Sequence, residues 1–199
     1  MDESVISRID HISIAVKDVD SARHFFQNVF GAIPGANAKN NSKGFSWQMF
    51  SLGDLSRLEL IHPAGEGGFL DNFFKKHKNG GLHHITLQTS NIKKAKQILK
   101  ENQIDYFGYN EYGDIWKELF IHPKDAFGVL VQIAEFCPDD WLDPSLALPK
   151  EKKWEVIKGA KGCTLSVVHP GGGKVSVELT AAEAKQLIND LDSLRSKLE

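Results

Sequence analysis

The sequence predicts an α+β fold: a unit of strands and a helix built twice and curved into a cup, followed by a C-terminal β-hairpin and helix. Three observations predict it. His-Ile-Ser-Ile at 11–14 returns as His-Ile-Thr-Leu at 84–87, 73 positions later. The same offset carries Leu58-Glu59-Leu60 onto Val131-Gln132-Ile133. Each copy lies in a run that alternates polar and apolar residues, and each first strand precedes a helical pattern.

The first unit opens with Ile9 to Val16, where His11, Ser13 and Ala15 alternate against Ile12, Ile14 and Val16. Such alternation gives a strand one polar and one packed face, with His11 on the polar side. Asp18 stands as a helix cap before Val19, Ala22, Phe25, Phe26 and Val29, and Gly31 stops the run. Residues 44–52 and 55–62 flank Gly53-Asp54, a two-residue hairpin signal, and the second arm puts Glu59 on the polar face.

Between the units, Phe69, Leu70, Phe73 and Phe74 predict a packed connecting helix over Gly68 to Lys78, closed by Asn79-Gly80-Gly81. The second unit repeats the order: Leu82 to Thr89, a helix capped by Asn91 with Ala95, Ile98 and Leu99 inward, then Lys117 to Ile121 and Val129 to Ile133. Pro138, Pro144 and Pro149 mark an irregular linker. Beyond it, Cys163 to Val168 and Lys174 to Leu179 enclose His169-Pro170-Gly171-Gly172-Gly173 as a hairpin. Thr180 and Glu183 then form a capping box ahead of an apolar stripe of Ala184, Leu187, Ile188, Leu191, Leu194 and Leu198. A lone hairpin and helix are marginal, so the stripe is expected to dock on the main body or on the second subunit of a homodimer.

Composition narrows the function. A formal charge of −2 supplies no basic field for nucleic acid, and Lys75, Lys76 and Lys78 read as a solvated helix face. The acidic start and the lack of a long apolar segment predict a soluble cytoplasmic protein without a membrane span. Cys137 and Cys163 are too few and too isolated for a disulfide framework or a thiolate zinc site.

The chemistry rests on the repeat. If the units pair so that their polar faces form a cup, His11, Glu59, His84 and Gln132 converge on one divalent ion (Co, Ni, Zn, Mn, Mg or Fe). Two imidazoles, a carboxylate and an amide oxygen leave open positions for a substrate oxygen, which suits Lewis-acid chemistry on a carbonyl. His83, next to His84, should face the opposite side of its strand and pack. His62 and His122 precede prolines at strand ends and need only turn roles. Gly171 to Gly173 lacks a phosphate-loop context and reads as a hairpin turn.

At Ile9-Asp10-His11-Ile12-Ser13-Ile14-Ala15-Val16, Leu58-Glu59-Leu60-Ile61-His62-Pro63, Gly81-Leu82-His83-His84-Ile85 and His122-Pro123-Lys124-Asp125 followed by Gly128-Val129-Leu130-Val131, the chain resembles methylmalonyl-CoA epimerases of the vicinal oxygen chelate superfamily, which includes glyoxalase I and extradiol dioxygenases. The resemblance implies a domain over 1–136 made of paired βαβββ modules (7–64 and 81–136) forming a metal-holding cup, a linker over 137–153 and an extension over 154–199. It places the metal positions on His11, Glu59, His84 and Gln132. It also implies an isomerase or lyase that moves a proton beside a polarised carbonyl of a small acyl-CoA or 2-oxo substrate. Two departures accompany it: such epimerases usually carry glutamate at the place of Gln132, and a catalytic glutamate in the loop where this chain has Asn41-Ser42-Lys43-Gly44. An amide cannot serve as general base, which leaves Glu59 as the candidate for that role. The alternatives are a glyoxalase-like lyase, a non-haem Fe(II) oxygenase, and a non-catalytic small-molecule binding protein of the same fold.

Overall fold

In the computed structural model, which describes residues 4–53, 56–169, 171–195 and 197, the repeat appears as two modules with the same strand order. The first contains β1 (Arg8–Ala15), α1 (Val19–Arg23), β2 (Ile33–Asn40), β3 (Phe45–Leu52) and β4 (Ser56–Pro63). The connector holds α2 (Asp71–Lys76). The second module contains β5 (Gly81–Gln88), α3 (Ile92–Glu101), β6 (Phe107–Tyr112), β7 (Trp116–Ile121) and β8 (Val131–Phe136). All eight strands join one curled sheet in the order β2-β3-β4-β1-β5-β8-β7-β6, with β1 and β5 antiparallel at its centre. Within each module the first and fourth strands are parallel neighbours, β1 with β4 and β5 with β8.

Apolar alternation sets the two faces. On one face α3 covers a core of Ile92, Ala95, Leu99, Leu119, Ile121, Val131 and Ile133. Its counterpart in the first module gathers Phe50, Leu58 and Leu60 with Ala22 and Phe26. Leu58 and Leu60 therefore pack as their repeats Val131 and Ile133 do, which leaves Glu59 and Gln132 for the other face. Burying the seven side chains of the second module's core contributes on the order of 10 kcal/mol before entropy is counted. The expected caps are present: the Asp18 side chain accepts from Ser21 N at 2.9 Å, and Asn91 from Lys94 N at 2.9 Å.

Several elements differ from expectation. β2 and β6, the second strands that the βαβββ resemblance implies, are present, but both are edge strands with mostly exposed residues, so neither shows a buried period-2 pattern in the sequence. After Arg23 the first helix widens into a π-helical segment, His24–Val29, which leaves Phe25 and Val29 exposed. The connecting helix starts only at Asp71, so Phe69 stands outside it and is exposed, while Leu70 and Phe74 are buried. The helix ends at Lys76 with His77 as its cap, and beyond it Gly80 turns the chain toward β5 at φ +86°; a Cβ there would lie 2.3 Å from the Ala15 carbonyl oxygen, a close approach that glycine alone permits.

The described residues form two units, Met1–Asp143 and Pro144–Glu199. In the second unit the expected hairpin is part of a three-stranded sheet, because Trp154–Lys158 (β9) pairs with Gly162–Val168 (β10), which pairs with Lys174–Thr180 (β11). The capping box forms as expected, with Thr180 N donating to Glu183 Oε2 at 2.8 Å at the start of α4 (Ala181–Arg195), which packs on β10 and β11. Asp54 of the Gly53-Asp54 turn, Pro170 of the glycine-rich turn and Leu198 of the stripe lie outside the described residues. Among those described, no helix is long and apolar enough to cross a membrane.

Candidate metal centre and cavity

Register brings the polar residues together in two rows across the sheet. Ser13 on β1 pairs with Glu59 on β4 and with His84 on β5. Thr86 on β5 pairs with His11 on β1 and with Gln132 on β8. The rows Glu59-Ser13-His84 and Gln132-Thr86-His11 are the same arrangement repeated at the 73-residue offset. In each, the hydroxyl donates to its module's acidic or amide partner at 2.6 Å, Ser13 Oγ to Glu59 Oε2 and Thr86 Oγ1 to Gln132 Oε1.

His11, Glu59 and His84 each offer a ligand atom within 4.8 Å of the others. Glu59 Oε2 lies 3.7 Å from His84 Nε2 and 4.0 Å from His11 Nε2. Ligand atoms about 2 Å from a common ion are separated by roughly 3 to 4 Å, so the three fit a divalent cation of the kind that takes imidazole and carboxylate together. Glu59 Oε1 has no hydrogen bond among the described residues. Burial raises the Glu59 carboxyl above its ordinary value, His11 and the Ser13 hydroxyl oppose the rise, and Glu118 and Asp10 add to it. Burial, reinforced by His11 and His83, holds His84 well below its ordinary value and so keeps its imidazole neutral and able to ligate.

Both histidines are oriented by the residue that precedes them, and the period-2 reading missed this. The β1–β5 ladder skips Asp10 between Ile9 and His11, and skips His83 between Ser13's partner His84 and Ile14's partner Leu82. Each is a β-bulge, which places two successive side chains on one side of the sheet. Asp10 Oδ2 lies 2.7 Å from His11 Nδ1, and His83 Nδ1 lies 2.9 Å from His84 Nδ1. His83 therefore lines the same cavity as His84, against Phe69 and Phe73, contrary to the expectation that it packs on the far side. An Nδ1–H held by a neighbour fixes the tautomer that presents the Nε2 lone pair to a metal; His11 Nε2 lies 2.9 Å from Thr86 Oγ1, a contact that a bound ion would replace. Burial brings His83 down to about 4, so it is a neutral acceptor at ordinary pH. Burial alone would raise Asp10, but the His11 hydrogen bond and the Arg57 charge overcome it and bring it to about 2.

The concave face encloses about 900 Å³, within the range of small-molecule sites, under aromatic walls that include Trp47, Trp116, Phe120 and Trp141. Gln132, expected as a fourth ligand, has both ends of its amide engaged: Oε1 by Thr86, and Nε2 as donor to Glu118 Oε2 at 2.6 Å. The sequence reading did not single out Glu118, although Leu119 and Ile121 in the core imply that Trp116, Glu118 and Phe120 face the cavity. His62 and His122 have the turn roles expected: His62 Nδ1 lies 3.1 Å from the Pro63 carbonyl oxygen and His122 Nδ1 accepts from Lys124 N.

Two pseudo-symmetric modules holding two histidines and a carboxylate in a cup define a protein of the vicinal oxygen chelate kind. Residues 10–120 match the Glyoxalase/Bleomycin resistance protein/Dioxygenase superfamily, and the chain belongs to it. Its relatives there include epimerases. The Bos taurus mitochondrial methylmalonyl-CoA epimerase is 36% identical over 132 residues, covering 65% of this chain and 75% of that protein. The Cereibacter sphaeroides ethylmalonyl-CoA/methylmalonyl-CoA epimerase is 35% identical over 134 residues, covering 66% and 99%. Among solved structures, a Mycobacterium tuberculosis methylmalonyl-CoA epimerase superposes with a TM-score of 0.62 at 24% identity, covering 69% of this chain and 93% of that one. A Streptomyces coelicolor methylmalonyl-CoA epimerase in complex with 2-nitronate-propionyl-CoA gives 0.60 at 25%, covering 66% and 99%. The matches cover about two thirds of this chain.

Proposed function

We propose that the protein epimerises a short 2-substituted malonyl-CoA, methylmalonyl-CoA or ethylmalonyl-CoA, with a divalent ion held by His11, Glu59 and His84. The observation that supports this most directly is the convergence of those three donors within 4.8 Å inside a cavity of about 900 Å³. The relatives' named substrates supply the substrate class. A bound ion would supply Lewis-acid polarisation of the thioester carbonyl, which acidifies the adjacent C–H. Glu59 is the base in this reading: Ser13 and the two imidazoles surround its Oε2, while Oε1 stays available for the proton. Asp10 and His83 hold the imidazoles, and the aromatic walls keep bulk water from the reacting carbon. In this reading Gln132 spaces the trio from Glu118 by hydrogen bonds and is not a ligand.

The test is proton exchange. Metal-stripped protein reloaded with Co, Ni, Zn, Mn or Mg is mixed anaerobically with a single epimer of methylmalonyl-CoA in D2O and followed by NMR. Loss of the α-proton signal together with interconversion of epimers is expected. Protein that binds metal yet catalyses neither process with either malonyl-CoA would refute the reading. Two histidines with one carboxylate also suit non-haem Fe(II), and turnover that requires iron and consumes dioxygen would favour an oxygenase instead.

A further inference from the structure

We propose that Glu118 is a second catalytic carboxylate, handling the substrate proton on the face of the reacting carbon opposite Glu59. This rests on the epimerase reading above. Inversion at a carbon requires a proton to leave one face and arrive at the other, and one fixed carboxylate cannot reach both. The walls of the cavity supply three carboxyl groups, Asp10, Glu59 and Glu118. Asp10 is committed to Arg8, Arg57 and His11. Glu118 remains.

Its placement fits the task. Glu59 stands on β4 and Glu118 on β7, with β1, β5 and β8 between them in the sheet. Along a flat sheet that is about 19 Å. The curl of the sheet brings both into the lining of one cavity. Glu118 is 8% exposed and forms no salt bridge among the described residues. Its contacts are neutral donors: Gln132 Nε2 at 2.6 Å and Trp116 Nε1 at 3.0 Å, both to Oε2, and Asn110 Nδ2 at 3.4 Å to Oε1. Burying a carboxylate without a counter-ion is costly, and functional sites are where that cost is retained. Oε1, with one long contact, keeps the capacity to take or give a proton.

The step balances. Glu59 takes the α-proton, the C–H electron pair passes to the thioester oxygen as the enolate, and the protonated Glu118 gives its proton to the opposite face as the C–H bond re-forms. The protein ends with a proton on Glu59 in place of Glu118, and the other epimer reacts by the reverse transfer.

The experiment uses the metal-loaded full chain with each pure epimer of methylmalonyl-CoA in D2O. For Glu118→Gln, inversion should fall on the order of 10²- to 10⁴-fold while one epimer continues to exchange its α-proton without inverting, at parent metal content. Inversion at the parent rate, or exchange of both epimers falling in step with inversion, would overturn the assignment. Should Glu118→Gln fail to fold, Glu118→Asp is read in the same way, with inversion slowed at least about tenfold and one-sided exchange retained; parent-like inversion overturns the assignment. A parent protein that neither exchanges nor inverts defeats the epimerase reading and this inference together, whereas an active parent with an unaffected variant defeats the inference alone.

Discussion

Replacing Asp10 with asparagine should destabilise the first unit more than any substitution that leaves the core intact. The carboxylate is fully buried and takes hydrogen bonds from Arg8 Nη2 at 2.6 Å, His11 Nδ1 at 2.7 Å and Arg57 Nη2. Its displacement from 3.8 to about 2 corresponds to roughly 2 kcal/mol in favour of the charged form. That stability is present above 3.8 and is lost as pH falls through about 2. The amide would also leave Arg57, whose side chain is 1% exposed, without its carboxylate; Nε and Nη1 of that guanidinium already lack hydrogen-bond partners among the described residues. Removing one member of a buried pair typically costs about 3–5 kcal/mol. Urea unfolding at pH 7 should therefore show Asp10→Asn losing about 3 kcal/mol or more, and Asp10→Asn with Arg57→Met recovering much of it. A single variant within about 1 kcal/mol of the parent, or a double variant weaker than the single, would refute the reasoning.

Two further outcomes follow from the centre itself. His11→Ala and His84→Ala should each lose the bound divalent ion in elemental analysis while retaining the parent circular dichroism; unchanged metal content would contradict the site. His83, lowered to about 4 by burial, takes up its proton in the unfolded chain first, so its contribution is complete above 6.5 and is lost as pH falls toward 4, up to about 3 kcal/mol. His83→Phe should flatten the pH dependence of metal-free stability by up to one proton across that interval, and an unaltered slope would exclude the role.

What the sequence made legible follows from its periodicity. The duplicated strands β1, β4, β5 and β8 are central, buried on one face and alternating, so His11, Glu59 and His84 could be placed on one surface before any coordinates. β2 and β6 were implied only by the family resemblance, because edge strands with exposed sides carry no such alternation. The part of β9 was hidden for a similar reason: four of its five residues are exposed. Asp10 and His83 were misjudged or passed over because a bulge breaks the rule that neighbours face opposite ways. Glu118 obeyed that rule and could have been found from Leu119 and Ile121, but it has no counterpart in the repeat to draw attention to it. Gln132 was read as a ligand from its place in the repeat, and its engagement by Glu118 could not be inferred without the neighbouring strand.

The two bulges make the chain unusually sensitive to length at two points. Deleting Asp10 or His83 would restore an unbroken ladder with regular alternation between β1 and β5 and leave the flanking side chains on their faces, but it would remove the neighbour that holds the adjoining imidazole's Nδ1. Exposed connections elsewhere can absorb gained or lost codons. In these two strands the extra residue is the one that orients a histidine, so losing it would free an imidazole while the sheet itself stayed in register.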